Sequence, residues 1–444
     1  MAKTDYLLFR RGVIRTLTEE DGRRPPAGVE DVLALPDGRA VVLYETEGSS
    51  GFPRFDPVPG SDRVFLQAFG PDGASLTGRI DVPADDEGRA LNPQARVLSD
   101  GTILVAWEVR ADETGGDDAV RLRRFSAELE PIGEVFEPFA GVLETPRYVQ
   151  VAADPSGGVV VIAREGGEAG AAYARLGADL SVTERGATDF DWDGEPVGAA
   201  IGAGGALVMM SEADGRMTVW PSGAALAYQG ERTYDGQLDA LPQGGFVATY
   251  IDVNADGYEN ARVVLLDADG IPADEGVLLA ASNPNQVFQI PDHATRDVNV
   301  DVLPSGHVVV VHLASFTLTS GDLPVINVFA PDGERLMRDL VLGDVGTYFE
   351  VAAGVADGAL TLSYFDSDAG AVTMQTIDLV RRTTADAGGE AIRGDALIDD
   401  VFGGDGDDTV HGEGGDDLLI GAGGADVLFG GDGADLIYGD AAVG

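Results

Sequence analysis

Apolar and polar positions alternate along most of the chain in short segments that are separated by tight, glycine-containing turns. Seven segments share one plan, in which an apolar strand, a glycine turn and a second apolar strand follow one another. They are "VLALPDGRAVVLYE" from Val32, "ARVLSDGTILVAWE" from Ala95, "VAADPSGGVVVIARE" from Val151, "AAIGAGGALVMMSE" from Ala199, "LDALPQGGFVATYID" from Leu238, "VDVLPSGHVVVVHLA" from Val300 and "AAGVADGALTLSYFD" from Ala352. Their spacing of roughly 40 to 63 residues is typical of propeller blades.

A further pair of strands follows most copies, as in "RVFLQAFGPDGASLTGRIDV" and "VINVFAPDGERLMRDLVL". Each unit therefore holds about four strands, the content of one blade. The seventh unit ends one strand short after "AVTMQTIDLV", whereas the N-terminal "DYLLFRRGVIRTLT" has no unit of its own. The sequence predicts an all-β protein in which residues 1–382 form a seven-bladed β-propeller. The N-terminal strand is expected to complete the last blade, which removes a sheet edge.

The glycine-rich segment that follows has a period of nine residues. Aspartates recur at Asp399, Asp408, Asp417, Asp426 and Asp435, and an aliphatic residue follows two positions later each time: Val401, Val410, Leu419, Leu428 and Ile437. This nonapeptide resembles the RTX, or hemolysin-type, calcium-binding repeat. Residues 393–444 are therefore predicted to form a short parallel β-roll, and the composition of residues 383–392 is that of a linker.

The resemblance implies Ca²⁺ sites between stacked turns of the roll. Two nonapeptides make one coil, so the stacked pairs would be Asp399 with Asp417, Asp408 with Asp426, and Asp417 with Asp435. Carboxylates and backbone carbonyls are the oxygen ligands that Ca²⁺ prefers. Asp405 and Asp432, within the turns, are further candidate ligands. Because the carboxylates repel each other and each coil buries little, we expect this segment to be unfolded without Ca²⁺ and ordered with it.

A second candidate calcium loop is "DVNADGYEN" in the fifth repeat. Its spacing places Asp252, Asn254 and Asp256 first, third and fifth, the Tyr258 carbonyl seventh and Asn260 ninth. The twelfth position holds Val263 where an EF-hand has an acid, and strands rather than helices flank the loop. The loop resembles the calcium hairpins of integrin α-subunit propellers. The alternative is a polar β-hairpin turn, for which Asn, Asp and Gly are ordinary residues.

Equivalent positions of the seven repeats would form a ring around the propeller axis. Six residues after the turn glycine, this ring contains Tyr44, Trp107, Arg164, Ser211, Tyr250, His312 and Tyr364. It could present a face for a ligand or cation, or it could simply pack neighbouring blades together, and packing is favoured because aromatic side chains bury large areas.

The charge of the chain is strongly negative, with 76 acidic against 29 basic residues and a net charge of -47. Nucleic acid is therefore an unfavourable partner, because phosphate contacts need clustered Lys and Arg. The chain has no cysteine, no apolar run long enough to predict a membrane span, and no N-terminal signal-peptide pattern. Disulfides and thiolate metal sites are excluded.

The repeats upstream of the roll also resemble, more loosely, the "LxDGGFVVVWxS… QRFDADGxxVG" repeats of large RTX proteins from marine bacteria. The resemblance implies export by a type I secretion system, folding in extracellular Ca²⁺ and a place outside the cell or on its surface. The favoured function is a secreted calcium-dependent binding or adhesion protein that recognises an extracellular glycan or surface protein. Alternatives are a self-assembling surface-layer or matrix component and a propeller-type polysaccharide lyase or glycoside hydrolase. Because no P-loop, dinucleotide, nucleophile-elbow or histidine zinc motif is present, a non-enzymatic protein is favoured.

Overall fold

The computed structural model describes residues 3–17, 26–35, 37–46, 63–70, 74–82, 89–110, 118–165, 171–187, 195–226, 230–254, 259–273, 276–279, 295–303, 305–315, 322–341, 348–356, 359–366, 371–385, 387–395 and 397–440. Within these ranges the protein is all-β and contains no helix. The all-β prediction is therefore confirmed for the part of the chain that the structure describes.

The strands are numbered in chain order. They are β1 (Lys3–Leu17), β2 (Pro26–Ala34), β3 (Ala40–Thr46), β4 (Val64–Phe69), β5 (Ile80–Asp81), β6 (Arg89–Val97), β7 (Ile103–Arg110), β8 (Ala119–Phe125), β9 (Pro131–Phe136), β10 (Pro146–Ala153), β11 (Val159–Glu165), β12 (Ala171–Leu176), β13 (Val182–Ala187), β14 (Glu195–Ile201), β15 (Leu207–Ala213), β16 (Arg216–Trp220), β17 (Ala224–Ala225), β18 (Gly230–Ala240), β19 (Phe246–Asn254), β20 (Glu259–Leu266), β21 (Val277–Leu278), β22 (Thr295–Val302), β23 (Val308–Ser315), β24 (Asp322–Phe329), β25 (Arg335–Val341), β26 (Tyr348–Ala356), β27 (Ala359–Asp366), β28 (Ala371–Thr384), β29 (Ala391–Arg393), β30 (Ile398–Phe402), β31 (Thr409–Gly414), β32 (Leu418–Ala422), β33 (Val427–Asp432) and β34 (Leu436–Asp440).

The first six repeats each form one four-stranded antiparallel sheet with its strands in sequence order. The sheets are β2 to β5, β6 to β9, β10 to β13, β14 to β17, β18 to β21 and β22 to β25. A glycine turn joins the first two strands in the way the pattern predicts. In the second sheet, for example, Gly101 has φ of 76° and its N–H donates to the carbonyl of Leu98 over 2.8 Å. Glycine adopts this left-handed conformation without the steric penalty of a side chain.

The core lies between neighbouring sheets. The second strand of each repeat is the most apolar, and in β7 its residues are buried up to Val109, whereas the fourth strand β9 is largely exposed. Trp107 of the second sheet belongs to a cluster that also contains Leu43 and Leu66 of the first. Apolar side chains that are buried between adjacent sheets, rather than within one sheet, therefore stabilise the propeller.

The first strands of the repeats contact one another in a ring. β26 of the seventh repeat contacts both β22 and β2, so the beginning and the end of the repeat array meet. At this contact Gly354 of β26 lies so close to the backbone of β2 that an added Cβ would overlap the carbonyl oxygen of Val32. A side chain at residue 354 would therefore push the two strands apart.

The seventh repeat differs from the prediction. Its strands belong to a seven-stranded sheet in the order β26-β27-β28-β30-β32-β34, to which β1 also pairs through β28. The reason is the length of β28, which has 14 residues. Residues up to Asp378 pair with β27, and Val380 to Thr384 pair in parallel with β30. The predicted count of seven separate blades is therefore wrong: six are present in the described residues, and the seventh repeat is the junction between the propeller and the C-terminal coil.

β1 pairs antiparallel with β28 from Lys3 opposite Thr384 to Leu17 opposite Val372, with one register shift between Arg11 and Arg15. The N-terminal strand thus lies along the outer edge of the seventh repeat. β28 consequently has β1 on one edge, and β27 followed by β30 on the other.

The C-terminal segment is a parallel β-solenoid of about three turns. One wall is β29-β31-β33, and the other is the β30-β32-β34 part of the seven-stranded sheet. Between them lies a small core of Ile392, Val401, Val410 and Leu419. The inward aliphatic residues become less buried along the coil, and Ile437 in the last described strand is 43% exposed. This coil is called the roll below.

The roll begins within the segment that has linker composition. β28 extends to Thr384, and the residues after it already bond to the next layer: the N–H of Ala385 donates to the carbonyl of Phe402, and the N–H of Thr409 donates to the carbonyl of Glu390. Leu397 also packs into the core cluster of the sixth and seventh repeats, with Leu303 and Leu360. Propeller and roll are therefore joined through a shared strand and a shared apolar cluster.

Candidate metal centre

The repeated aspartates of the roll lie in two columns. Asp399, Asp417 and Asp435 form the first column, and Asp408 and Asp426 the second. In each column, the backbone N–H of one aspartate donates to Oδ1 of the aspartate eighteen residues later, over 2.8 Å from Asp399 to Asp417, 3.1 Å from Asp417 to Asp435 and 3.0 Å from Asp408 to Asp426. These are the pairs that the period of nine residues places on top of each other.

The second carboxylate oxygen of each aspartate faces the glycine five residues before it. An added Cβ at Gly412 would overlap Asp417 Oδ2, and one at Gly421 would overlap Asp426 Oδ2. Glycine is therefore needed at these positions so that the carboxylate can lie over the turn. The repeated glycines thus shape a cradle for each carboxylate as well as forming the turns.

Two of these oxygens, Asp408 Oδ2 and Asp417 Oδ2, are buried and accept no hydrogen bond from any described residue. Asp408 and Asp417 are only 1% and 2% exposed. A buried carboxylate without a partner is costly, so such an atom points to a ligand that the protein chain does not supply. A hard divalent cation fits this donor set, which consists of carboxylate oxygens and turn carbonyls.

The electrostatics of the first column favour the same ligand. Burial, together with the neighbouring carboxylates of Asp399 and Asp435, raises the pKa of Asp417 to about 7. Burial likewise raises the pKa of Asp399 to about 6, against the lowering effect of Arg381. Negative charge is therefore in excess along the column, and a cation would compensate it.

The C-terminal segment carries RTX calcium-binding nonapeptide repeats. The family model of this repeat, in four copies, matches residues 393–428 and 414–442. The RTX repeats therefore cover the roll and none of the propeller. No curated protein matches the chain in sequence.

Solved structures with a similar fold share little sequence with this chain. A protein of unknown function from Dyadobacter fermentans DSM 18053 has a TM-score of 0.49 at 10% identity and covers 84% of this chain and 99% of its own. The β-propeller domain of the Trilobed protease from Pyrococcus furiosus has a TM-score of 0.45 at 10% identity and covers 79% and 95%. A PL25 ulvan lyase has a TM-score of 0.39 at 10% identity and covers 80% and 79%. At these TM-scores the likenesses carry no activity over to this chain.

The turn acids of the RTX roll are more exposed than the columns. Asp405 and Asp432 are exposed, with Asp432 at the end of β33, and Asp405 Oδ1 faces Gly423 of the next layer. Within the described ranges, no three His, Cys, Asp or Glu side chains are close enough to hold a metal by themselves. A cation in the columns would therefore need backbone carbonyls among its ligands, as the glycine turns allow.

Sequence reasoning missed several residues that lie beside the columns or at their first positions. Asp407 and Asp416 each accept a backbone N–H from the next layer, from Ala425 and Ala434 respectively, over 2.8 Å. Glu390 and Arg381 also occupy column positions, because Glu390 lies eighteen residues before Asp408 and Arg381 pairs with Asp399. Counting the period of nine backward from Asp399 would have found both residues.

The candidate calcium loop of the fifth repeat is described only in part. Asp252 is fully buried, and its Oδ2 accepts a hydrogen bond from Nε of Arg262 over 2.8 Å. Nδ2 of Asn260 donates to the carbonyl of Asp252 over 3.3 Å. Asp256, Tyr258 and the side chain of Asn254 lie outside the described residues. Both described ends of the loop are therefore engaged within the blade, and the calcium loop stays a prediction.

Five of the seven equivalent propeller positions are buried, Arg164 is partly exposed, and the side chain of Tyr364 lies outside the described residues. Tyr44, Trp107, Tyr250 and His312 are 0% exposed, and Ser211 is 1% exposed. The Tyr44 ring stacks on Phe65 of the same sheet, with ring centroids 5.7 Å apart. These side chains therefore pack the propeller, which agrees with the favoured interpretation. Among the described residues, no helix has the length and apolarity to cross a membrane.

Proposed function

We propose that this protein is an extracellular calcium-dependent binding protein, in which the RTX roll folds around Ca²⁺ and the propeller is the recognition scaffold. The observation that carries the calcium part is the pair of buried, unpartnered oxygens Asp408 Oδ2 and Asp417 Oδ2, together with the RTX repeat match. Ca²⁺ would hold the columns together by supplying the positive charge that stacked carboxylates lack.

The residues that would hold the metal are the column aspartates Asp399, Asp408, Asp417, Asp426 and Asp435, with turn carbonyls as further ligands. Hydrogen bonds from the previous layer orient each Oδ1, so the other oxygen is left to face the turn. The exposed carboxylates of Asp405 and Asp432 would add negative charge beside the columns. Binding would therefore couple the layers of the roll to one another.

The extracellular location is proposed from the RTX repeats and from calcium supply. Extracellular calcium modules commonly bind Ca²⁺ with dissociation constants of about 10⁻⁴–10⁻³ M, a range that is reached outside cells. Folding that depends on such concentrations would keep the roll open before export, for which a type I secretion system is the proposed route. The net charge of -47 would keep the unfolded segment soluble through self-repulsion.

The recognition role is proposed for the propeller because its core strands are committed to packing, which leaves the connecting loops for binding. Loops on a repeat scaffold are where binding residues commonly lie. Two long connections of the propeller, at residues 47–62 and 316–321, are proposed for this role and lie outside the described residues. A glycan or a protein on a cell surface is the proposed partner.

The calcium part is tested on the full-length protein after removal of metal with a chelator. Ca²⁺ is titrated from 0.01 to 10 mM, about the range that extracellular modules span, while amide hydrogen exchange is followed by mass spectrometry. We expect residues 403–440 to become protected and the first six blades to stay unchanged. Equal exchange of residues 403–440 with and without Ca²⁺ would refute the calcium role. Mg²⁺ at the same concentrations is the matched control, because it prefers smaller octahedral sites.

The binding part is tested by applying labelled protein to a glycan array and to surface-protein extracts, with Ca²⁺ and with chelator. Saturable binding to one class of glycan or protein is the expected result. If a folded RTX roll segment does not compete for this binding, the result would support the propeller as the recognition scaffold. Release of new unsaturated or reducing ends from a polysaccharide panel would instead favour an enzyme.

A further inference from the structure

An arginine stands at the first position of the first aspartate column. β28 and β30 pair in parallel with Arg381 opposite Asp399, just as Asp399 stands above Asp417 in the next layer. Arg381 is therefore the residue that corresponds to the column aspartates in the layer that the propeller supplies. It lies outside residues 393–442, which the RTX repeats cover.

The Arg381 guanidinium reaches three acceptors in the first layer. Nε donates to Asp399 Oδ1 over 2.5 Å, Nη2 donates to the carbonyl of Arg393 over 2.8 Å, and Nη1 lies 3.5 Å from Asp395 Oδ2. The Arg381 side chain is 13% exposed and that of Asp399 is 0% exposed. The contact is thus a buried, charge-assisted cluster of two carboxylates and one carbonyl around one cation.

The same acceptors have different partners in the next layer. Asp417 Oδ1 accepts the backbone N–H of Asp399, and the carbonyl of His411, which corresponds to Arg393, accepts the N–H of Gly394 over 2.7 Å. Asp417 Oδ2 accepts no hydrogen bond from a described residue, whereas Asp399 Oδ2 accepts the N–H of Asp395 over 3.0 Å. The first layer therefore satisfies both carboxylate oxygens of Asp399 with protein donors, whereas the next layer leaves Asp417 Oδ2 without a donor among the described residues.

We propose that the Arg381 guanidinium replaces the metal ion in the first layer of the roll, so that β30 is held on β28 without Ca²⁺ and the later layers add to it. The inference rests on the proposed calcium binding of those later layers. It makes the propeller the template of the roll, because the strand that carries Arg381 is the third strand of the seventh repeat. Arginine suits this place because its fork of donors can satisfy several oxygens at once and it stays charged at every accessible pH.

The second column has no arginine at the corresponding first position. Its corresponding residue is Glu390, whose backbone N–H donates to Asp408 Oδ1 over 2.8 Å. Asp408 Oδ2 accepts no hydrogen bond from a described residue. The replacement of the cation is therefore specific to the column that begins on β28.

The test is amide hydrogen exchange of the full-length protein in chelator. In the wild type we expect residues 398–402 of β30 to be protected and residues 418–440 to exchange rapidly. In Arg381→Gln, the protection of β30 in chelator should be lost. The matched control is Arg382→Gln, which removes the same charge one residue along β28, where the more exposed Arg382 side chain faces the other way and pairs with Asp400.

Calcium titration provides the second measurement. Arg381→Gln should raise the Ca²⁺ concentration at the folding midpoint of the roll about tenfold, from the loss of a buried charge-assisted bond. Arg381→Lys keeps the charge but not the several donors of the guanidinium. Its midpoint Ca²⁺ concentration should lie between those of Arg381→Gln and the wild type. Exchange of β3 in the first blade reports whether each variant still folds its propeller.

Two outcomes separate this inference from the proposed function. If residues 418–440 exchange equally with and without Ca²⁺, the calcium role itself is wrong. If Ca²⁺ protects them but Arg381→Gln behaves as Arg382→Gln does, or if wild-type β30 exchanges as fast as β34 in chelator, the roll binds Ca²⁺ and Arg381 does not replace an ion.

Discussion

Nε of Arg262 lies 2.8 Å from Oδ2 of Asp252, and both side chains are buried inside the fifth blade, at 4% and 0% exposure. The two residues lie on the neighbouring strands β19 and β20, with Asp252 directly opposite Asn260. Asp252 is also the first residue of the candidate calcium loop. Its carboxylate therefore already has a cationic partner in the blade. A structural role of Asp252 and a metal-binding role consequently predict different effects when Asp252 is replaced.

Replacing Asp252 by Asn should destabilise the propeller by about 3 kcal/mol, because it breaks the buried ion pair with Arg262 by removing one of the two charges. Urea unfolding followed by tryptophan fluorescence measures the effect in 5 mM Ca²⁺, at or above the range of extracellular modules (about 10⁻⁴–10⁻³ M), and in chelator. We expect the same loss in both conditions. Asp269→Asn, at an exposed turn of the same blade, is the control and should change stability by less than about 0.5 kcal/mol. A loss confined to the calcium-containing samples would instead make Asp252 a metal ligand.

Asp417 is the middle member of the first column, and Asp435 is its last described member. Asp417→Asn should therefore remove twice as many bound Ca²⁺ ions as Asp435→Asn, because Asp417 belongs to two stacked pairs. Equilibrium dialysis with radioactive calcium gives the stoichiometry. Asp416→Asn changes an exposed neighbour that bonds only to the N–H of Ala434, and it should leave the stoichiometry unchanged. Equal losses for Asp417→Asn and Asp416→Asn would show that general negative charge, not the column, binds the ion.

Gly412 and Gly439 occupy the same position of the nonapeptide but have different surroundings. A Cβ at Gly412 would overlap Asp417 Oδ2, whereas a Cβ at Gly439 would meet no atom within 4 Å. Gly412→Ala should therefore abolish the calcium-induced ordering of the roll, and Gly439→Ala should leave it nearly intact. Far-ultraviolet circular dichroism during a calcium titration of both variants checks this. Equal behaviour of the two would mean that the carboxylate does not need the space above the turn.

His312 should make the propeller sensitive to acid. Its side chain is 0% exposed, its ring nitrogens accept or donate no hydrogen bond among the described residues, and burial lowers its pKa to about 3. The unfolded chain therefore binds a proton below about pH 6.5 that the folded chain excludes, so stability is present above that pH and is lost as the pH falls.

Because the folded protein excludes this proton from His312, its free energy of unfolding is lower by about 2 kcal/mol at pH 5 than at pH 8. Val298 and Val325 flank His312 across the sheet, so leucine suits this position. Between pH 8 and pH 5, the free energy of unfolding of His312→Leu should fall by about 2 kcal/mol less than that of the wild type. Urea unfolding at both pH values gives the comparison. Parallel losses in the two proteins would contradict the assignment to His312.

The period of nine residues predicted the roll well, because each layer repeats one local pattern and stacking follows from the repeat itself. Asp399, Asp408 and Asp417 are buried in columns, and Val401, Val410 and Leu419 fill the core between the walls. The propeller repeats likewise predicted four strands per unit, because each glycine turn fixes the register of the strands beside it.

Other features depend on pairing between distant strands, which local patterns do not encode. Strand β28 continues past the expected end of a blade into the polar sequence RRTT, and only the structure shows that Val380 to Thr384 pair with β30 instead of ending the sheet. The count of seven separate blades was wrong for this reason. Arg381 was likewise overlooked, because its role is visible only once Asp399 lies beside it.

The pairing of Lys3 with Thr384 joins two strands, β1 and β28, between which all six complete blades lie in the chain. The ring of sheets consequently cannot close until β26 to β28 have been synthesised, and the first blade waits until then with one packing surface exposed. Contacts of such sequence separation slow folding, because the entropy of closing the loop is lost before the contacts compensate it. The pairing of β28 with β1 therefore determines when this surface of the nascent protein is buried. Until then it is open to proteolysis and to aggregation.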